Sequence, residues 1–252
     1  MVSIGDGNCS STSPVLIAFS WFRRGKFVET EHQLKFKDYW DFHEWSYKCF
    51  PEFWDCMWRF FNIVHSEPYI EVYDRKNGFQ NMEWFKGARL NFAENILKYR
   101  DSKIAIIATD AEDNTEYISY EKLYDEVRVY VKALRDEGIR KGDNVACYMS
   151  NKKEAIIAFL ATAAIGAVWT GNLPLLGTQA TLARFEQIQP KVLFTSGSFT
   201  FDNVEIKLIE RLPEIVSGLS SLQKVIYIPS KSKNKAEDIS RIPKWFVLFV
   251  TF

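Results

Sequence analysis

The residues best suited to hold a metal or to attack a carbonyl are four cysteines (Cys9, Cys49, Cys56, Cys147) and three histidines (His32, His43, His65). No two cysteines form a CxxC pair, and no histidine stands at ligand spacing from one, so a metal site is not expected. No Ser/His/Asp or Cys/His arrangement suited to nucleophilic catalysis stands out, and no motif pairs the many carboxylates. His43 and His65 fall among aromatic residues, where a hydrogen-bonded structural histidine is the expected role. Thr195-Ser196-Gly197-Ser198 gathers hydroxyls and a glycine after an apolar run, and reads as a turn. Arg184 could reach a phosphate, but its setting favours a solvated helix face. The cysteines read as reduced thiols in a cytosolic protein.

The bulk composition narrows the partners. Over 252 residues, Lys plus Arg and Asp plus Glu both number 32, so the net charge is zero. That removes the electrostatic argument for nucleic acid or an anionic membrane as partner. Hydrophobic residues at 47% and charged residues at 25% describe a folded chain. The apolar run Val15 to Phe22 is too short to span a bilayer. It lacks a preceding basic segment and is followed by Arg23 and Arg24, unlike a signal peptide. The expectation is a soluble, cytoplasmic protein. Nothing in the sequence speaks to an oligomeric state.

The elements that must position any site divide the chain into four stretches. Residues 1–34 read as a partly disordered leader, with Ser3 to Ser13 Gly/Ser-rich. Residues 35–102 read as a helical region dense in rings: Trp40, Trp45, Trp54, Trp58 and Trp84, with many phenylalanines. Phe53, Met57, Phe60 and Phe61 recur at helical spacing just after Pro51. Basic residues are not interleaved with the rings as on a base-stacking platform, so a ring-burying layer is expected.

Residues 103–229 alternate between strand and helix. Lys103 to Thr109 should pair with Glu116 to Ser119 across an Asp113-Asn114 turn. Ser119 caps a helix with the stripe Leu123, Val127, Tyr130, Val131 and Leu134, ended by Gly138. A buried strand runs from Asn144 to Met149. Lys152 to Ile165 is a helix capped by Asn151. Ala167 to Thr170 is a strand, Thr178 caps a helix through Gln187, and Lys191 to Thr195 is a strand. Ile206 to Ser217 reads as a helix that Pro213 could break, and Lys224 to Ile228 as a strand. The fold class is therefore α/β, an aromatic helical segment followed by an open, mostly parallel sheet with flanking helices. Ligands of such sheets bind beyond the strands' carboxyl ends, here the loops after Met149, Thr170 and Thr195. Residues 230–252 read as a solvated linker and a truncated apolar tail, Trp245 to Phe252, a strand whose natural partner sequence is expected to be missing, or an aggregation hazard if it stays exposed.

Three ordered stretches resemble a known family. Glu83 to Leu97, EWFKGARLNFAENIL, resembles the W-F-x-G-x-x-L-N-F/Y-A-E-N-I/L-L signature of acetyl- and acetoacetyl-CoA synthetases. Ile139 to Met149 and Glu154 to Val168 resemble the K-G-D-x-V and A-x-x-x-I-G-A stretches of acyl-adenylating enzymes. Leu182 to Phe194, LARFEQIQPKVLF, is similar to a segment of the acetoacetyl-specific branch. The resemblance covers residues 36 to about 242.

That resemblance implies an AMP-forming ligase in which ATP and acetoacetate give acetoacetyl-AMP, from which CoA displaces AMP, with Mg²⁺ on the phosphates. In the family the phosphates lie on an S/T-S-G-T-T-G-x-P-K loop. Thr195-Ser196-Gly197-Ser198 begins like that loop, but Phe199-Thr200-Phe201-Asp202 follows, without the required Gly and Lys. The expectation is an N-terminal part of such a ligase, inactive by itself, binding none of ATP, CoA and Mg²⁺ tightly. The alternative is a non-catalytic fragment acting as a binding or regulatory module, or a non-functional truncated product. The resemblance puts the loop Trp169, Thr170, Gly171, Asn172 and Leu173 near CoA; over Trp169 to Gly177 the branch typically reads W-S-S-T-S-P-D-F-G, and this chain reads WTGNLPLLG. The changed residues remove hydroxyls and an Asp that could have bonded the nucleotide. Trp84, Gly87, Leu90, Asn91, Asn95, Gly142, Asp143 and Gly166 carry the signatures in structural roles: Asn91 as a helix cap, Gly87, Gly142 and Asp143 as turns, Gly166 as a tight helix-to-strand turn. Trp169 is expected to fill core.

Overall fold

A computed structural model describes residues 2–4, 14–76, 78–110, 113–202, 204–229, 239–240, 242 and 245–247. It resolves into two compact units, residues 8–95 and residues 1–7 with 96–252. The chain begins with strand β1 (Val2–Ile4), which belongs to the second unit.

In the unit of residues 8–95, α1 (Pro14–His32) and α2 (Tyr39–Lys48) pack on α3 (Phe50–Phe60). The Asp38 side chain accepts the Asp41 N–H at 3.0 Å, capping α2. Pro51 sits in the first turn of α3, where its missing N–H costs nothing. Val28, Phe42, Cys56 and Met57 form the buried centre, ringed by Phe27, Phe36, Trp45, Phe53 and Phe60. The expected stripe holds except at Phe61, which lies past the helix end and is exposed. A short antiparallel pair follows, β2 (Glu71–Asp74) with β3 (Glu83–Lys86), Tyr73 facing Trp84. Phe50 meets the Tyr73 ring edge-on at 4.8 Å. Helix α4 (Phe92–Ile96) closes the unit.

The second unit starts with an antiparallel sheet ordered β1, β4 (Ile104–Thr109), β5 (Thr115–Ser119). The Asp110 carboxylate accepts the Asn114 N–H at 2.9 Å, and Asp113 takes a positive φ of 60°, so the expected turn forms. Helix α5 (Tyr120–Asp136) begins with Ser119 Oγ accepting the Lys122 N–H at 3.2 Å. Then come β6 (Asn144–Tyr148), α6 (Lys153–Ile165), β7 (Val168–Asn172), α7 (Thr178–Ile188) and β8 (Val192–Ser196). A hairpin of β9 (Ser198–Phe201) and β10 (Val204–Lys207) leads to α8 (Leu212–Gly218), β11 (Lys224–Ile228) and β12 (Trp245–Val247). The five-stranded sheet is ordered β12-β11-β8-β6-β7, and its four pairings are all parallel.

Register places Ala146, Tyr148, Leu193, Val225 and Tyr227 on one face, against Phe185 of α7 and Leu212 and Ile215 of α8. On the other face Tyr130 of α5 stacks on Phe194 at 6.1 Å and 9°, and Phe159 of α6 meets Trp169 at 6.1 Å. The sheet is thus covered on both faces, as a parallel sheet requires.

Several expectations need correction. The β4–β5 hairpin belongs to its own antiparallel sheet and is not part of the parallel one. The N-cap of α6 is Lys152, not Asn151, and that of α7 is Gly177, with Thr178 inside the helix. Neither cap makes a side-chain bond; packing, not capping, sets these starts. Residues 206–217 are not one helix: Ile206 and Lys207 pair with β9, and Pro213 opens α8 instead of breaking it. Ser3 and Ile4 lie in a strand, Pro14–His32 is a helix, and residues 5–13 fall outside the described residues, as do 230–238 and 248–252. The apolar tail gains its neighbour within the chain: Trp245–Val247 pairs with β11.

Candidate functional site

Three strands of the parallel sheet end together: β6 at Tyr148, β7 at Asn172, β8 at Ser196. Register sets Asn172, Tyr148, Thr195 and Tyr227 in one row across this carboxyl edge. Thr195 Oγ1 donates to the Tyr148 carbonyl at 2.8 Å. The Tyr148 ring is fully buried, and its hydroxyl donates to the Leu176 carbonyl at 2.6 Å. Arg211, the N-cap residue of α8, donates from Nη1 to the Tyr148 hydroxyl oxygen at 3.1 Å. The same nitrogen reaches the carbonyls of Leu176 at 3.1 Å and Pro174 at 3.3 Å.

The residues expected near CoA line this edge unequally. Trp169 is half-buried, its ring packed near those of Phe159 and Phe194, nearer the start of β7. Thr170, Gly171 and Asn172 continue the strand, and Leu173 stands 61% exposed beyond it. Asn172 Nδ2 is buried with no hydrogen-bond partner among the described residues, and so is Ser196 Oγ. A buried donor left open at the end of a parallel sheet is a group a ligand could satisfy. Thr195 and Ser196 finish β8 and Ser198 opens β9, so the Thr-Ser-Gly-Ser run joins two strands and forms no phosphate cradle.

Gly142, Asp143 and Gly166 gather at the opposite, amino edge. Gly142 N–H donates to the Gly166 carbonyl at 3.0 Å and Val168 N–H to the Asp143 carbonyl at 2.8 Å. The Asp143 carboxylate accepts the Arg140 N–H at 2.9 Å and pairs with Lys191 at 2.7 Å. Lys191 and that N–H hold its carboxyl below the usual carboxylate range. These residues stitch strand starts together and are far along the strands from the ligand edge. Arg184 is exposed on α7.

In the unit of residues 8–95 the signature residues also do structural work. Asn91 Oδ1 accepts the Glu94 N–H at 3.1 Å, capping α4. Asn95 bonds both backbone groups of Val64, accepting its N–H at 2.8 Å and donating to its carbonyl at 2.9 Å. Gly87 has φ +86°, and a side chain there would press on Ile70 Cδ1 at 3.1 Å. Trp84 and Leu90 remain 41% and 49% exposed. Trp84 helps line an open aromatic cleft of about 460 Å³ with Tyr47, Phe50, Trp54, Tyr73 and Arg75. His65 Nδ1 lies 2.9 Å from the Ile63 carbonyl, and His43 is exposed among Tyr39, Trp40 and Tyr47.

One pair escaped the sequence reading: His32 Nε2 lies 3.2 Å from Cys56 Sγ, across 24 residues of chain. Cys56 is completely buried, and burial raises its thiol, which disfavours the thiolate form. Burial likewise pushes the Cys147 thiol up to about 12. Among the described residues no cluster of His, Cys, Asp or Glu could hold a metal ion, and no helix is long and apolar enough to cross a membrane. A second unforeseen feature is Glu126, buried on α5 with Lys122, Lys153, Glu116 and Glu154 around it. Its position inside an otherwise apolar stripe is the only sequence signal it leaves.

Comparison with known proteins converges on one family. The family described as AMP-binding enzyme matches residues 92–245, and that described as acetyl-coenzyme A synthetase N-terminus matches residues 39–96. An acetoacetyl-CoA synthetase of Xenopus tropicalis is 40% identical over 213 residues, covering 83% of this chain and 32% of its own. One of Macaca fascicularis is 38% identical with the same coverage. The solved structure of an acetoacetyl-CoA synthetase from Streptomyces lividans superposes with a TM-score of 0.79 at 30% identity, covering 89% of this chain and 34% of that one. The chain thus spans about a third of the length of the relatives it matches.

Proposed function

The chain belongs to the AMP-binding enzyme family, and from that premise we propose that it is the N-terminal part of an AMP-forming acetoacetate–CoA ligase. One observation carries this reading: the likeness to acetoacetyl-CoA synthetases runs in order over 213 residues, through both the ring-rich unit and the parallel sheet. The reaction would join acetoacetate to CoA at the expense of ATP, with Mg²⁺ on the phosphates.

The residues present fit these groups to different degrees. For CoA there are the Asn172 Nδ2, which has no hydrogen-bond partner among the described residues, and an exposed, apolar Leu173 at the sheet's carboxyl edge. For the ATP phosphates and Mg²⁺ the fit fails, since Thr195 to Ser198 lie at the junction of two strands and Asn203, not a lysine, stands at the ninth position of the run, where the family's loop has its lysine. Cradling a triphosphate needs several convergent backbone N–H groups and a cation. We therefore expect these 252 residues alone to form no acyl-adenylate. The buried thiols of Cys56 and Cys147, in no disulfide among the described residues, fit a reducing, cytoplasmic setting.

One experiment with two arms tests this. The isolated chain is given ATP, Mg²⁺ and acetoacetate, and pyrophosphate is measured against a heat-killed control. In parallel, residues 36–242 replace the matching stretch of the Xenopus tropicalis synthetase. The expected result is no release from the chain alone and acetoacetate-dependent CoA thioester formation by the chimera. Release from the chain alone overturns the inactivity. A soluble chimera without activity overturns the ligase reading. A second reading, a non-catalytic binding or regulatory module, is favoured by the changed loop at 169–177. It gains if the chimera is dead while the chain alone unfolds cooperatively.

A further inference from the structure

The loop between β7 and α7, Leu173 to Gly177, has little means of holding itself. Pro174 has no N–H, and Leu173, Leu175 and Leu176 offer no polar side chain. The single hydrogen bond within it among the described residues runs from Leu176 N–H to the Leu173 carbonyl at 3.0 Å. Its order must come from outside.

Two residues distant in sequence supply it. The Tyr148 hydroxyl has one proton, which goes to the Leu176 carbonyl at 2.6 Å. Arg211 Nη1 converges on the same place, contacting the Leu176 carbonyl at 3.1 Å, the Pro174 carbonyl at 3.3 Å and the Tyr148 oxygen at 3.1 Å. The tyrosine accepts from arginine while donating to the carbonyl, so each bond strengthens the other. A charged donor on neutral oxygens also makes a stronger bond than a neutral one. Gln179 Nε2 donates to Glu214 Oε1 at 2.8 Å, tying the first turn of α7 to α8 just beyond the loop. With its carbonyls turned inward, the loop leaves Leu173 and Leu175 outward, 61% and 37% exposed, next to the open Asn172 amide.

We propose that Tyr148 and Arg211 are positioning residues that fix the 173–177 loop for CoA. The proposal rests on the reading above that this loop lies beside CoA. Neither residue touches the ligand; each acts through the loop backbone.

The test uses the full chain and the variants Tyr148→Phe, Arg211→Gln and Arg211→Lys. Tyr148→Phe keeps the buried ring and removes only the hydroxyl, so the core should stay filled. Hydrogen–deuterium exchange is followed at residues 173–177, and CoA itself is titrated. Exchange at Leu175 to Gly177 should accelerate about tenfold in Tyr148→Phe and Arg211→Gln, the scale of one lost hydrogen bond. The strand amides of β6 and β8 should stay within about twofold. CoA affinity should fall about fivefold or more while the melting midpoint drops only by the few degrees that one lost hydrogen bond costs, with Arg211→Lys recovering part of the affinity. Unchanged loop exchange in both variants overturns the clamp. A faster loop with unchanged CoA affinity overturns its role for CoA. Only weak CoA binding is expected of this chain alone, so the titration runs into the millimolar range; no CoA binding by the parent chain even there overturns the placement of CoA, and the exchange data then show separately whether the clamp exists.

Discussion

Glu126 is the residue whose chemistry is least at ease. It is 3% exposed on α5, and its Oε1 makes no hydrogen bond among the described residues. Burial raises its carboxyl, against the opposing pull of Lys153 and Lys122, while Glu116 and Glu154 add to the rise. The folded state thus holds a proton on Glu126 more tightly than the unfolded state does. By linkage its contribution to stability is most favourable below the unfolded carboxylate range and is lost as pH rises through the folded value. Glu126→Gln should therefore stabilise the chain at pH 7, and the gain should shrink as pH falls below the unfolded carboxylate range. Urea unfolding of both proteins across that range measures it; a variant less stable at pH 7 would show that the lysines outweigh burial. At this scale the sequence was readable where a role is local. The Asn91 cap and the Gly87 turn follow from neighbours within a few positions. The Tyr148–Arg211 bond spans 63 residues and His32–Cys56 spans 24, and spacing carries no trace of either.

Elements were legible where burial is periodic and obscure where it is total or one-sided. The stripe of α5 and the runs that became β6, β8 and β11 announce themselves by apolar pattern. The β9–β10 hairpin does not, because Val204 and Phe201 are exposed, so the alternation that marks a half-buried strand is missing. The starts of α6 and α7 were misplaced by one residue because no side chain caps them. The end of α6 was clear, and it carries a prediction. Gly166 takes φ +79° as the left-handed C-cap, its N–H bonding the Ala163 carbonyl at 3.0 Å and its own carbonyl the Gly142 N–H at 3.0 Å. A side chain there must adopt a backbone region costing about 1–2 kcal/mol. It would also approach Lys141 Cγ at 3.2 Å, but that flexible side chain can move aside. Gly166→Ala should lower the unfolding free energy by roughly that backbone cost, and Gly166→Asn by less, because Asn tolerates the left-handed region. Equal losses in the two variants would mean that contact with Lys141, not backbone strain, sets the cost.

For the molecule as a whole, the parallel sheet depends on how its edge is finished. β12 lies on β11 in register, Val225 with Trp245 through Tyr227 with Val247. Ile242, just before it, is 1% exposed and joins the core formed with Leu212, Ile215 and Tyr227, while Ile239 packs against that core. Removing residues 239–252 would therefore do two things. It would uncover the backbone of β11, a strand buried along most of its length and rich in β-branched residues. It would also open the core where Ile242 sat. Losing one buried isoleucine costs about 2–5 kcal/mol, a large part of a domain's net stability. An uncovered apolar edge strand recruits another copy of itself. The shortened chain should consequently elute as large species on size-exclusion chromatography and unfold at lower urea than the full chain. Ile242→Ala alone should share the lower midpoint without the large species, since its β11 edge stays covered. If Ile242→Ala aggregates as strongly as the deletion, core loss rather than the open edge drives association. If neither variant differs from the parent, β12 and its approach contribute nothing to the fold.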